Sequence, residues 1–167
     1  MRRAACSLLA AALGTAVTAS TSFSAPPGRS WLSWNTARRT ASLELVAGYN
    51  GANNGFNFDG YGRGQLLVRV PLGWRVVVTC RNAASRRHSC AIVRGPQTVV
   101  SAFPGATTTS PTLGLRPGQT ARFMFKASRA GSYRIACLVP GHEDARMWDV
   151  LVVGGVKRPS ISERTGF

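Results

Sequence analysis

The chain has 167 residues, of which 44% are hydrophobic, so it suits a single domain with one core. The formal net charge of +15 raises the question of nucleic acid, but the basic residues occur as scattered singlets and pairs. This pattern favours a solvated surface, and we expect no nucleic-acid partner. An acidic surrounding or an acidic protein partner is a hypothesis that the charge leaves open.

The N-terminal residues 1–19 have the order of a secretory signal. Two arginines are followed by an Ala- and Leu-rich run, and Val17-Thr18-Ala19 forms a small-residue cleavage site. We therefore expect export to the periplasm or to the outer face of the cytoplasmic membrane. The apolar run is shorter than the roughly 20 residues that span a bilayer, but an uncleaved anchor that tethers the protein is the alternative.

The remaining chain divides into a linker and N-terminal extension at 20–40, a domain at 41–155 and a tail at 156–167. In the domain, apolar and polar residues alternate over short segments that are separated by Gly and Pro turns. About eight such strands, with no amphipathic helix, predict an all-β sandwich. We place the strands at 42–46, 56–61, 66–70, 74–81, 88–92, 122–126, 132–137 and 148–152.

Three metal-binding side chains lie in the loop before the last predicted strand, which reads CLVPGHEDARMW. These are Cys137, His142 and Met147, and the chain has only one other histidine, His88, at an inward position after a basic loop. A thiolate, two imidazoles and a weak thioether are the ligands of a blue-copper site. The sequence therefore predicts a metal site at these four residues.

Other interpretations of the same residues exist. Each one alone is more simply a buried small hydrophobe, a gap-filler or a surface residue. Zinc also binds thiolate and imidazole, but methionine is a poor zinc ligand, so copper is the better fit. Two histidines cannot supply a further histidine-rich catalytic centre, and we expect no enzyme activity.

Several motifs resemble those of the sulfocyanins, a family of blue copper proteins within the cupredoxins. They are WLSWN at 31–35, AGYNGANNGFNFDGYGRG at 47–64, VPLGW at 70–74, AFPGA at 102–106, CLVPGH at 137–142 and MW at 147–148. The ligand spacing is also similar to that of rusticyanin. The resemblance covers most of the chain, from about Trp31 to Val153.

The resemblance implies a cupredoxin-like Greek-key β-sandwich that holds one type 1 copper ion. His88, Cys137 and His142 would be the equatorial ligands and Met147 the axial one, while Ser89 would tune the thiolate by hydrogen bonding. Such a protein would carry single electrons, as a monomer, between redox proteins such as cytochromes or a terminal oxidase. A copper carrier or storage protein without redox shuttling is the alternative, and a metal-free structural sandwich is a third.

Two further expectations concern the surface and the remaining cysteines. An apolar docking patch is predicted at Phe103, Pro104 and 138–140, and the charged segment 143–146 is predicted to determine partner identity. Cys80 and Cys90 flank one loop at inward positions, where a disulfide and two buried free thiols are both open.

Overall fold

A computed structural model describes residues 31–165 of the chain. It contains nine β-strands and a short 3-10 turn at Ala52–Gly55. The strands are β1 (Leu32–Asn35), β2 (Thr40–Ala47), β3 (Leu66–Val70), β4 (Arg75–Asn82), β5 (Ala91–Val93), β6 (Thr120–Lys126), β7 (Gly131–Ala136), β8 (Trp148–Val153) and β9 (Ser160–Glu163).

The strands form two mixed sheets, one in the order β1-β2-β4-β6 and the other in the order β5-β7-β8-β3-β9. Parallel pairs β2–β4 and β3–β8 lie among antiparallel neighbours, so the chain crosses between the sheets more than once. The predicted all-β sandwich is confirmed.

Two strands lie outside the 41–155 range predicted for the domain. β1 falls in the predicted linker and pairs with β2, whereas β9 falls in the predicted tail and pairs with β3. Both are edge strands whose side chains are mostly exposed or half-buried, with Leu32 the one buried exception, so they lack the apolar alternation that marks the central strands.

The prediction of a strand at 56–61 was wrong. There Phe58 and Tyr61 form only isolated bridges, because Asp59 and Gly60 have positive φ angles of 55° and 87° and reverse the chain.

The core lies between the sheets, where the predicted inward residues are buried. On β4, Val76, Val78 and Cys80 are at most 1% exposed, while Arg75 and Arg81 on the other parity are exposed. Phe103 stacks on Phe125 at 5.2 Å between ring centroids and is itself 1% exposed. Phe103 is therefore a core residue, and its predicted place in a docking patch was wrong.

Cys80 and Cys90 form a disulfide, with their Cα atoms 6.1 Å apart. Cys80 lies near the end of β4 and Cys90 directly before β5, so the bridge closes the segment that carries His88. Of the two alternatives that the sequence leaves open, the structure has the bridge.

The predicted signal at residues 1–19 lies outside the described residues. Between residues 31 and 165, no helix has the length and apolar character needed to cross a membrane.

Candidate metal centre

The loop between β7 and β8 brings three of the predicted ligands to one end of the sandwich. Cys137 directly follows β7 and Met147 directly precedes β8, and the Cys137 N–H donates to the Met147 carbonyl at 3.2 Å. The Met147 N–H in turn donates to the His142 carbonyl at 2.9 Å. Gly141, with a φ of 79°, lets the chain reverse before His142.

His88 reaches the same place from the segment between β4 and β5. Its N–H and carbonyl pair with Leu115 in an isolated bridge, which fixes the backbone of the ligand. The Asn82 side-chain amide donates to the carbonyls of Arg86 and Leu115 at 2.8 and 2.9 Å, so the segments on both sides of this bridge are attached to the end of β4.

The donor atoms converge on a single point. The ligand atoms of His88, Cys137 and His142 all lie within 4.8 Å of one another. The Cys137 sulfur is 3.2 Å from Nδ1 of His142 and 3.9 Å from Nδ1 of His88. The Met147 side chain is fully buried in the same core cluster as Cys137. The structure thus assembles the two imidazoles and the thiol that the sequence singled out, with the thioether in the adjoining core.

Burial sets the protonation of these groups. It lowers the pKa of His88 to about 4, with the charges of His142 and Arg86 as smaller causes. It also lowers the pKa of His142, assisted by Arg86, and raises the pKa of the Cys137 thiol, opposed mainly by a hydrogen bond from Ser89. Neutral imidazoles are the form that ligates a metal, so the histidines are ready to bind one near neutral pH.

Ser89 lies directly against the thiol. Its N–H is 3.2 Å and its hydroxyl oxygen 3.7 Å from the Cys137 sulfur. The same hydroxyl oxygen accepts the Leu138 N–H at 2.9 Å, so the hydroxyl proton points away from Leu138 and is available to the sulfur. Ser89 therefore supplies hydrogen-bond donors to the sulfur, as the resemblance implies.

A second loop, here called the bracing loop (residues 50–64), packs against the ligand loop. Asn53 donates its side-chain amide to the Ala145 carbonyl at 2.9 Å, and the Arg63 N–H donates to the Arg146 carbonyl at the same distance. Phe56 places its ring edge-on to His142, 4.9 Å between centroids. This loop lies within the longest quoted motif, 47–64, but its role in holding the ligand loop was not evident from the sequence.

The charged segment 143–146 is engaged within the molecule. Glu143 accepts the Arg134 guanidinium at 2.6 Å and the Gln97 N–H at 2.8 Å, and Asp144 accepts the Gln97 side-chain amide at 2.6 Å. The two acids therefore tie the segment around Gln97 to the ligand loop. Both carboxylates make contacts within the molecule, and Asp144 stays exposed, so the role of this segment in determining partner identity stays a prediction.

The apolar surface near the site also differs from the predicted patch. Leu138 is 7% exposed, and Pro104 lies in a separate groove with residues from the far end of β4 and β6. Beside the ligand loop, Val99, Val139 and Pro140 line a cavity of about 150 Å³, and Val99 is 61% exposed. The accessible apolar surface at this end is thus formed by the segment around Val99 together with the turn before His142.

A family model of the sulfocyanin (SoxE) domain matches residues 27–160. The chain belongs to the sulfocyanin family. Sulfocyanin from Sulfolobus acidocaldarius is 28% identical over 131 residues. The alignment covers 71% of this chain and 66% of that protein, so it spans just under two thirds of the relative's length.

Solved structures support the sulfocyanin assignment at the level of the fold. Auracyanin A, a blue copper protein from Chloroflexus aurantiacus, has a TM-score of 0.51 and 20% identity over 69% of this chain and 99% of its own. Copper nitrite reductase from Nitrosomonas europaea has a TM-score of 0.53 and 24% identity over 69% of this chain and 41% of its own. The sandwich of this sulfocyanin is therefore a cupredoxin fold.

The donor set fits the cofactor of a blue copper protein. A soft thiol, two neutral imidazoles and a thioether, all buried, match a type 1 copper ion better than zinc, which would need a fourth strong donor. Within residues 31–165, His88 Nε2 has no hydrogen-bond partner, and Nδ1 of both histidines is directed to the sulfur. One type 1 copper ion is the cofactor of this sulfocyanin.

Proposed function

We propose that this chain is an exported electron carrier and that His88, Cys137, His142 and Met147 would hold its copper ion. The observation that carries the proposal is the convergence of the three strong donors within 4.8 Å in a buried pocket. When bound, the copper ion would supply one-electron chemistry by alternating between Cu(II) and Cu(I).

The contribution of the protein is to hold the donors still. The Leu115 pairing fixes His88, and the hydrogen bonds within the ligand loop and from the bracing loop fix the other donors. Close-packed surroundings of this kind resist rearrangement. A site that keeps one geometry in both oxidation states needs little reorganisation when an electron arrives or leaves.

Electrons would pass through His142. It is the most exposed of the four ligands, at 9%, whereas the other three are fully buried. The apolar surface around Val99 and Pro140 lies beside it and suits a small, brief contact of the kind redox partners make. Cytochromes or a terminal oxidase are the partners that we propose, with the protein acting as a monomer.

Export is supported by two features. Residues 1–19 have the composition of a secretory signal, which is cleaved or retained as an anchor, and the Cys80–Cys90 disulfide is typical of an oxidising compartment. We propose the periplasm or the outer face of the cytoplasmic membrane as the location.

The burial of the ligands favours an electron carrier over a copper carrier. A protein that hands copper on needs donors that a recipient can reach, but Cys137 and Met147 are both fully buried. An enzymatic role is also disfavoured, since both histidines of this chain lie at the one site and none is left for a second copper centre.

The test is to add Cu(II) to the copper-free protein and to record visible and electron paramagnetic resonance spectra. We expect an intense blue band that Cys137→Ser abolishes, because the band depends on the copper–thiolate bond. Met147→Leu should keep the band and raise the reduction potential, since a weak thioether ligand tunes it. Met124→Leu is the matched control, because Met124 is exposed on β6, and it should change neither property.

Voltammetry then separates the two carrier roles. Fast, reversible electron exchange is the expected result for the wild type. If copper is instead lost to a mild chelator and no blue band forms, a copper carrier replaces the electron carrier.

A further inference from the structure

A basic groove lies at the end of the sandwich opposite the metal centre. We propose that this groove binds an acidic segment of a partner protein. The proposal goes beyond electron carriage and does not depend on copper. The groove has a volume of about 850 Å³, and its lining includes Arg38, Arg39, Arg75, Lys126, Met124 and Pro104.

The strands position the groove far from the copper ligands. Arg75 begins β4, whereas the segment that carries His88 leaves β4 at its other end, after Asn82. At about 3.3 Å per residue, the length of this strand separates the two sites by roughly 23 Å. A partner bound in the groove therefore leaves the surface around His142 free.

The cations of the groove are held close together by the backbone. Arg75 and Lys126 are directly opposite each other on β4 and β6, and Thr40, next to Arg39, is opposite Arg75 on β2. The Arg75 N–H donates to the Arg39 carbonyl at 2.9 Å. Like charges directly opposite on neighbouring strands destabilise a sheet, so a bound anion would relieve this repulsion.

No acidic residue of the chain can neutralise the groove. The sequence has six acids, and the structure describes all of them. Asp59 and Asp149 are buried, and Glu143 and Asp144 are engaged at the ligand loop. Glu163 lies on β9 of the other sheet, and Glu44 pairs with Thr79 in the half of β4 nearer the metal centre. The positive charge of the groove is thus available to a ligand.

The lining indicates which anion fits. Met124 is 55% exposed and lines the groove, and Pro104 adds further apolar surface to the lining. A free phosphate or the flat surface of a membrane would not use apolar surface at the floor of a groove. An extended peptide with carboxylates on either side of an apolar residue would use both, so the charge and shape favour an acidic protein segment.

The test measures binding of a fluorescein-labelled peptide of repeated Glu-Glu-Leu to the full chain by fluorescence anisotropy, with and without copper. Arg75→Gln/Lys126→Gln should weaken binding about fivefold to tenfold, since each exposed charge pair contributes modestly. Arg116→Gln/Lys157→Gln is the matched control, because it removes the same two charges at exposed positions outside the groove. We expect it to change affinity less than about twofold.

Salt and a direct map provide independent readouts. Binding should weaken strongly from about 0.01 M to about 0.1 M salt, over which the Debye length falls from about 30 Å to about 10 Å. In an NMR titration of the wild type, the peptide should shift the amide resonances of Thr40, Gly73 and Ser128 and leave those around His142 unchanged. This measurement uses no variant, so it does not depend on whether a variant folds.

Three results would overturn the proposal. Equal losses in the groove variant and its control would mean that only the overall charge attracts the peptide. Amide shifts confined to the His142 end would place the contact elsewhere. Binding of anionic vesicles or of a single-stranded oligonucleotide is compared in the same way. If either loses more affinity than the peptide when Arg75 and Lys126 are replaced, the groove belongs to another class of partner. Equal peptide binding by copper-free and copper-loaded protein keeps this test separate from that of electron carriage.

Discussion

Removal of the Cys80–Cys90 disulfide should lower global stability while leaving the copper site almost unchanged. The bridge joins residues 10 apart in sequence, and both sulfurs are fully buried. In the chain-entropy account, a cross-link of this length destabilises the unfolded chain by about 2.7 kcal/mol. The variant Cys80→Ala/Cys90→Ala should therefore lose about that much unfolding free energy, and slightly more for the two sulfurs removed from the core.

The copper site should tolerate the loss because other contacts hold His88. The Leu115 pairing and the Asn82 side chain fix its segment in the folded protein without help from the sulfurs. The blue spectrum and the reduction potential of the variant should accordingly match those of the wild type.

Guanidinium unfolding of the copper-free protein, followed by tryptophan fluorescence, measures the change. Wild-type protein with the bridge opened and kept under reductant is the comparison for the cross-link, and Met124→Leu is the control for a distant substitution. Unchanged stability would refute the entropic reasoning. Loss of the blue band in a folded variant would show that the bridge, and not the Leu115 pairing, positions the ligand.

Three further predictions concern single side chains. Ser89→Ala leaves the buried Leu138 N–H without its acceptor, so the unfolding free energy should fall by about 1–3 kcal/mol. It also removes the hydroxyl donor to the Cys137 sulfur, so voltammetry should give a lower reduction potential. Ser89→Thr should retain both the stability and the potential. Arg86 lies 4.6 Å from the Phe56 ring that touches His142, which puts its charge within about 10 Å of that imidazole. Arg86→Gln should therefore lower the reduction potential by about 20–35 mV. Lys157→Gln, beyond the far end of β8, should leave the potential unchanged, and equal shifts would indicate a general charge effect. Burial raises the pKa of Asp59 to about 7, so its contribution to stability is present below about pH 4 and is lost as pH rises through 7, by up to about 4 kcal/mol. The unfolding free energy of Asp59→Asn should therefore depend less on pH over this range. An unchanged pH profile would contradict the raised pKa of Asp59.

The sequence was most informative where chemistry and periodicity coincide. Four donor side chains, two of them the only histidines, left few ways to build the site, and the structure brings the three strong donors together. The alternation on β4 predicted correctly which side chains are buried, because one face of that strand meets the core and the other meets water.

The remaining features depend on contacts that a local pattern does not contain. Asn53 meets Ala145 across 92 residues of sequence, and Gln97 meets Asp144 across 47. Neither pairing leaves a periodic signal. Phe103 and Leu138 are apolar whether they lie in the core or on the surface, so composition alone placed them in a docking patch although both are buried.

The bracing loop has a consequence for redesign. Three hydrogen bonds join it to the ligand loop, and they end on the backbone carbonyls of Ala145, Arg146 and Trp148. These hydrogen bonds therefore depend on the length of the ligand loop, and not on which side chains it carries. Substitutions at 143–146 can change the surface charge without removing any of these bonds. A ligand loop transplanted from another cupredoxin with even one residue more or fewer would shift the carbonyls and would need a matching bracing loop.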